Sequence, residues 1–117
     1  MTTQSGGVKR RLIVGMSGAT GVIYGVRLLE VLRGLPSVET HVILSNAAKQ
    51  TLALETEISV DAVAERADHL YRSADIAAGP SSGSFKTVGM VIIPCSMKTL
   101  SGIANSYADN LLIRAAD

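Results

Sequence analysis

Leu12-Ile13-Val14-Gly15-Met16-Ser17-Gly18-Ala19-Thr20-Gly21 is the stretch that decides the fold. An apolar run of the β type ends in a glycine-rich turn, and a helical pattern starts directly after it. The apolar residues are consecutive, as in a strand covered on both faces. Gly15, Gly18 and Gly21 recur every third residue and let the backbone approach a ligand that side chains would block. Ser17 and Thr20 add hydroxyls beside the free N–H groups of a helix start. A phosphate group is the natural guest of such a turn; tight packing of strand on helix is the alternative.

Outward from this turn the chain alternates strands and helices. Val22, Val26, Leu29 and Leu32 recur at helical spacing, with Ile23, Leu28 and Val31 widening the stripe. Gly34 and Pro36 close that helix. Glu39 to Leu44 reads as a second strand, followed by Ser45-Asn46 as a cap and a helix from Ala47 to about Glu57. A short helix over Ser59–Ala67, with Asp61 in its first turn, precedes a short strand at His69–Arg72. Residues 73–87 read as a loop. Val88–Ile93 reads as a strand that ends at Pro94-Cys95-Ser96, with a helix from about Met97 to Ser106. Asp109 caps a last helix. No hairpin signal interrupts the series, so the expectation is an α/β, Rossmann-like (flavodoxin-like) fold with a three-layer parallel sheet. The pattern stops in mid-helix at Arg114-Ala115-Ala116-Asp117, so we expect a domain lacking a C-terminal part. Residues 1–8 read as a disordered lead and 9–117 as one incomplete domain.

Composition narrows the function. The 117 residues carry a net charge of +1, with 47% hydrophobic, 18% charged and only 3% aromatic residues. With no basic block and little aromatic interleaving, a nucleic-acid surface is not expected. The mean hydropathy of +0.31 is high for a small domain; it implies apolar surface that ends against another subunit or a further part of the protein. No stretch approaches the ~20 apolar residues of a membrane span. The single cysteine excludes an internal disulfide and fits the cytoplasm.

Ligands of a parallel α/β sheet bind beyond the carboxyl ends of its strands. Three such ends bear hydroxyls before a helix: Gly15–Gly21, Ser45-Asn46 and Pro94–Lys98. The first is neither Gly-x-Gly-x-x-Gly nor a P-loop, since no Lys follows Gly21. The second strand ends in Ser45 rather than in an acidic residue for a ribose hydroxyl. Both points favour a mononucleotide. At the third, Ser96 and Thr99 can donate hydrogen bonds and Lys98 can face a phosphate. Ser45 alone reads as a helix cap. Cys95 reads as a small buried apolar residue, since no cationic partner marks it as a nucleophile. Neither His41 nor His69 has metal-ligand spacing, so no metal is expected.

At these turns the sequence resembles the flavin prenyltransferase family, also known as the UbiX or phenolic acid decarboxylase family. The resemblance rests on Leu-Ile-Val-Gly-Met-Ser-Gly-Ala-Thr-Gly (12–21), Tyr-Gly-Val-Arg-Leu-Leu (24–29), Glu-Thr-His-Val (39–42) and Leu-Glu-Thr-Glu (54–57). It continues through Ser-Ser-Gly-Ser-Phe (81–85), Val-Ile-Ile-Pro-Cys-Ser-Met-Lys-Thr-Leu-Ser-Gly-Ile (91–103) and Arg-Ala-Ala-Asp (114–117). The Pro-Cys-Ser-Met-Lys-Thr-Leu run is the specific part.

The resemblance implies transfer of a dimethylallyl group from dimethylallyl phosphate to N5 and C6 of reduced FMN. The prenylated FMN then serves a UbiD-type decarboxylase. It implies FMN contacts at Gly18, Ala19, Thr20, Ser45, Ser96, Met97, Lys98 and Thr99, and places Ser96, Glu55 and Arg114 near the reaction. It also implies a homo-oligomer built from trimers, up to a dodecamer. Thr20 stands where many members have Ser, and the hydroxyl survives. Members continue beyond Arg-Ala-Ala-Asp into an Arg-Glu-x-Pro-type segment that contacts FMN, and into a Tyr and a basic residue that grip the prenyl phosphate. A chain without them is alternatively an FMN-binding module that does not catalyse. Flavin-dependent cysteine decarboxylases of the same fold would want a His after the first turn, where Val22-Ile23-Tyr24 stands.

Overall fold

A computed structural model describes residues 10–72, 79, 86–104 and 115–116. The elements run β1 (Arg10–Met16), α1 (Val22–Arg33), β2 (Val38–Leu44), α2 (Asn46–Glu55), α3 (Val60–Arg66), β3 (His69–Arg72), β4 (Gly89–Ile92) and α4 (Met97–Ala104). The four strands form one sheet in the order β3-β2-β1-β4, every pair parallel. The chain therefore builds outward from β1 to β3, then crosses to the other side of β1 for β4. That reversal leaves a crevice at the carboxyl ends of β1 and β4, the place where open α/β sheets take ligands.

The strand alternation sorts side chains onto two faces. Val14, Met16, Val42 and Leu44 point to one face and pack with Val22, Val26 and Leu29 of α1, Ala48 and Leu52 of α2 and Val63 of α3. This aliphatic cluster is the core. Ile13 and Ile43 point the other way and pack with Tyr71, Met90, Ile92 and Ala115. Ala115 and Ala116 are helical, and the rest of the expected last helix, with Asp109 and Arg114, lies outside the described residues. So do residues 1–9 and most of the expected 73–87 loop.

Local signals explain the element ends. Ser45 and Ser59 cap α2 and α3, each accepting from the backbone N–H three residues on, at 3.1 Å in both cases. Helix α2 stops at Glu55, two residues before the expected end, because Thr56 turns extended and its hydroxyl donates to the Leu52 carbonyl at 2.7 Å. Val31, read as part of the apolar stripe, is exposed; Val22, Val26 and Leu29 already cover the contact with the sheet, and Val31 lies off that arc. Arg66 Nε donates to Glu30 Oε2 at 2.9 Å, and Arg33 donates to the Glu65 carbonyl, which ties α1 to α3. Asp68 accepts from the Thr40 N–H at 2.7 Å and returns its own N–H to the Thr40 hydroxyl at 3.0 Å, starting β3 in register with β2.

Gly25 sets how closely α1 lies on the sheet. A Cβ there would stand 2.5 Å from the Ile93 carbonyl oxygen and 2.8 Å from Met16 Cε. Alanine in a helix normally gains about 0.5–1 kcal/mol over glycine. Gly25→Ala is nevertheless expected to destabilise the protein by roughly 1–3 kcal/mol, because the Ile93 backbone cannot yield. Chemical denaturation measures this, and a variant as stable as the parent would refute the contact.

Candidate functional site

The crevice is built around Ser17. Its side chain is buried, 1% exposed, directly after β1. Its backbone N–H donates to the Pro94 carbonyl at 3.0 Å, and its hydroxyl donates to the same carbonyl at 2.9 Å. The hydroxyl oxygen then accepts from the Ser96 N–H at 2.6 Å. These bonds hold the turn after β1 against the turn after β4. The Ile93–Pro94 peptide in that second turn is cis.

Behind Ser17, the turn needs glycine for two reasons. A Cβ on Gly18 would stand 2.4 Å from Ala47 Cβ, so the first turn lies directly on the start of α2. Gly21 has φ +96°, the left-handed region, and serves as the N-cap of α1 without a side-chain cap. Its N–H donates instead to Glu55 Oε1 at 3.3 Å. Glu55 comes from the end of α2, so the second helix reaches over to the first turn. Ala19 bridges the two glycines, its N–H donating to the Ser17 carbonyl at 2.9 Å, and Thr20 is exposed.

The third turn is organised by Ser96. Its hydroxyl accepts from the Thr99 N–H at 3.2 Å and donates to Thr99 Oγ1 at 3.0 Å, while its carbonyl accepts from Leu100 N–H. Ser96 therefore caps α4. Thr99 is buried and Met97 is exposed. Lys98 lies in the first turn of α4, and its side chain is outside the described residues. Ser45 caps α2 at the carboxyl end of β2 and donates its N–H to the Met16 carbonyl at 3.0 Å. The structure thus brings Gly18, Ala19, Thr20, Ser45 and Ser96 to one end of the sheet, with Glu55 beside them. Arg114 lies outside the described residues.

Electrostatics follow the same division. Helices α1, α2 and α4 have no acidic residue in the first turn, whereas α3, which does not start from a strand end, carries Asp61 there. A carboxylate in the first turn would complement the helix dipole and compete with an anion. Its absence leaves three helix starts whose N–H groups suit a phosphate. Cys95 corrects its sequence reading: the side chain is exposed, on the outside of the turn that Ser17 holds from within. The shielding that remains around its sulfur still pushes the thiol up, away from a reactive thiolate.

Sequence reasoning missed two features. Ser17 reads from the sequence as a hydroxyl near the guest, but its partners lie 77 and 79 residues away, beyond any local pattern. Glu39, His41 and His69 also meet, on the sheet face opposite the core; their ligand atoms lie within 4.8 Å of one another. Neighbouring strands juxtapose them, which spacing along the chain cannot reveal.

Known proteins share this geometry. The sequence profile of the family described as "Flavoprotein" matches residues 2–117. The flavin prenyltransferase UbiX of Escherichia coli is 62% identical over 108 residues, covering 92% of this chain and 57% of that protein. Its counterpart in Salmonella typhimurium is 63% identical with the same coverage. The crystal structure of AnUbiX in complex with FMN and dimethylallyl pyrophosphate superposes with a TM-score of 0.90 at 44% identity, covering 93% of this chain and 57% of that one. A dodecameric FMN-dependent UbiX-like decarboxylase from Escherichia coli gives 0.89 at 57% identity, with 91% and 57% covered. The chain spans little more than half the length of the relatives it matches.

Removing the Ser17 hydroxyl would leave the Ser96 N–H without its buried acceptor. Ser17→Ala is expected to cost roughly 1–3 kcal/mol of stability while keeping the fold. Denaturant titration with circular dichroism checks both; an unchanged midpoint would show that the hydroxyl does not hold the two turns together.

Proposed function

The chain belongs to the flavoprotein family, and from that premise we infer that it forms the FMN-holding part of a flavin prenyltransferase. The reaction is transfer of a dimethylallyl group from a prenyl phosphate to reduced FMN, for use by a UbiD-type decarboxylase. The observation that carries the reading is the Ser17 bridge. It fixes two hydroxyl-bearing turns side by side at the switch point of the sheet, each leading into a helix with no acidic first turn.

FMN fits this donor set. Its phosphate is a dianion that suits backbone N–H groups and small hydroxyls, and its flat ring system needs a crevice with little side-chain bulk. Gly18, Ala19 and Thr20 contribute such a backbone on one side; Ser96, Met97, Lys98 and Thr99 contribute hydroxyls and the start of α4 on the other. Ser45 supports the floor between them. Reduced FMN, when bound, supplies the nucleophile.

The protein's own task is electrostatic. An allylic phosphate breaks more readily where donors stabilise the departing phosphate and a carboxylate faces the developing carbocation. Glu55, anchored on the Gly21 N–H, is the carboxylate at hand. Ser96, held by Thr99 and Ser17, presents its hydroxyl at the opposite turn. Arg114, from the sequence resemblance, is assigned to the same reaction. A homo-oligomer completes the proposed assembly, its subunits covering apolar side chains such as Tyr24, Leu54 and Met97. No helix among the described residues is long and apolar enough to cross a membrane.

One assay tests the reading. The protein is incubated without oxygen with reduced FMN and dimethylallyl phosphate, and the flavin is analysed by mass. We expect the mass of one added dimethylallyl group less a hydrogen, and a loss of that product in Glu55→Gln. FMN retained at unchanged mass by the parent protein would sink the enzyme reading and leave a flavin-holding module.

A further inference from the structure

We propose that Glu39, His41 and His69 form a binding site for a divalent transition-metal ion of the zinc type, which ties β2 to the strand β3 at the end of the described sheet. The site is separate from the crevice. His41 stands four residues before Ser45 on β2, roughly 13 Å back along the strand at about 3.3 Å per residue. It also lies on the face opposite α1, α2 and α3, because its neighbours Val42 and Leu44 fill the core on the helix side.

The backbone sets the arrangement. Parallel register pairs His41 directly with His69. Glu39 precedes His41 by two residues, so the pleat turns both to the same face. The three side chains offer two imidazole nitrogens and a carboxylate oxygen, the donor set that holds Zn²⁺ with a fourth position left to water. His41 Nε2 lies 2.6 Å from Glu39 Oε1, and His69 Nε2 lies 3.9 Å from the same oxygen. At metal–ligand lengths of about 2.0–2.2 Å, tetrahedral ligand atoms stand about 3.3 Å apart. One separation is shorter than this and the other longer, so an ion is admitted by small side-chain rotations with no backbone movement.

Each ligand has a part suited to it. His41 is 3% exposed, and its second ring nitrogen, Nδ1, lies 2.9 Å from Tyr71 Oη. Metal-ligating histidines are commonly fixed in this way, by a hydrogen bond at the other nitrogen. Without the ion, Nε2–H donates to Glu39 and Nδ1 accepts from the Tyr71 hydroxyl. On binding, the ion takes the Nε2 lone pair and the ring proton sits on Nδ1, which donates to Tyr71 Oη. His69 is the mobile ligand. Its ring stacks on His41 at 4.5 Å, and its side chain is about half exposed, with solvent space to turn its Nε2 toward the ion. Arg11 Nε lies 3.7 Å from Glu39 Oε1; it is the cation that the ion displaces from the carboxylate, and it too is half exposed.

Zinc titrated calorimetrically into the untagged, chelator-treated protein tests the site. We expect one equivalent per chain and a higher melting temperature, since an ion that binds only the folded state stabilises it. His69→Ala and Glu39→Gln alter partly exposed positions; each is expected to weaken binding about tenfold or more and to abolish the thermal shift. Cobalt(II) in place of zinc should give the intense visible bands of a four-coordinate site, lost in His69→Ala. Absence of uptake by the parent protein, or uptake that both variants retain in full, would overturn the proposal.

Discussion

The arrangement of the whole crevice depends on one buried hydroxyl. Ser17 joins strands that are neighbours in the sheet and distant in the chain, through a shared carbonyl at Pro94 and the Ser96 N–H. Each such bond contributes only about 1 kcal/mol net, but leaving its partners unsatisfied in a buried place costs more. The constraint propagates in both directions. Forward of Ser17, Gly18 is pressed on Ala47 and Gly21 must adopt a positive φ to start α1. Beyond Pro94, Ser96 has its N–H committed to Ser17 and its hydroxyl to Thr99, which fixes where α4 begins. Gly25 adds a second contact between the same regions, since α1 lies on the Ile93 carbonyl. Neither helix start can drift from the other without breaking both contacts.

Much of this was legible in the sequence because the signals are local. A strand buried on both faces reads as an apolar run, and a helix on one face reads as a stripe; both survive without knowledge of the neighbours. Ser45 and Ser59 cap the helices that follow them for the same local reason. The hydroxyl-bearing turns were legible as phosphate cradles because glycine and serine at a strand end have few other uses. Errors arose where the environment, not the chain, decides. Cys95 has a buried residue's composition and an exposed residue's position, since Ser17 and Pro94 occupy the inside of its turn. Val31 has the correct spacing for the stripe but lies off the arc that the sheet covers.

Pairing across strands is the information that a single sequence conceals most. His41 and His69 are 28 residues apart, and nothing in their spacing suggests that register will stack their rings. The sheet face they occupy is divided. Toward the carboxyl ends, Ile13, Ile43, Met90 and Ile92 form a small apolar cluster. Toward the other end, Glu39, His41 and His69 form a polar one, with Tyr71 spanning the two. The network has a definite charge state at neutral pH. Burial pushes His41 below its ordinary range, and the hydrogen bond from His41 holds Glu39 below the usual carboxylate range. A neutral imidazole donating to an ionised carboxylate satisfies both shifts, with the Tyr71 hydroxyl, pushed up by burial, closing the chain as a donor.

The distribution of apolar side chains bears on the crevice as well. The core is filled by aliphatic residues on the helix side of the sheet, yet Tyr24, Leu54, Met97 and Leu100 remain exposed. Tyr24 stands in the first turn of α1, Leu54 precedes the Glu55 that reaches Gly21, and Met97 opens α4. They therefore lie near the same turns that supply the hydrogen-bond donors. An allylic cation survives only where water is kept away, and dry walls strengthen every electrostatic interaction made inside them. Among the described residues, the turns provide donors, a carboxylate and an apolar margin, but no wall that encloses them. A surface that buries that margin would remove apolar area from water and shut solvent out of the crevice in one step. Stability of the assembly and protection of the reaction would then draw on the same contacts, so that the apolar composition of this small domain and the chemistry of its crevice have a common cause.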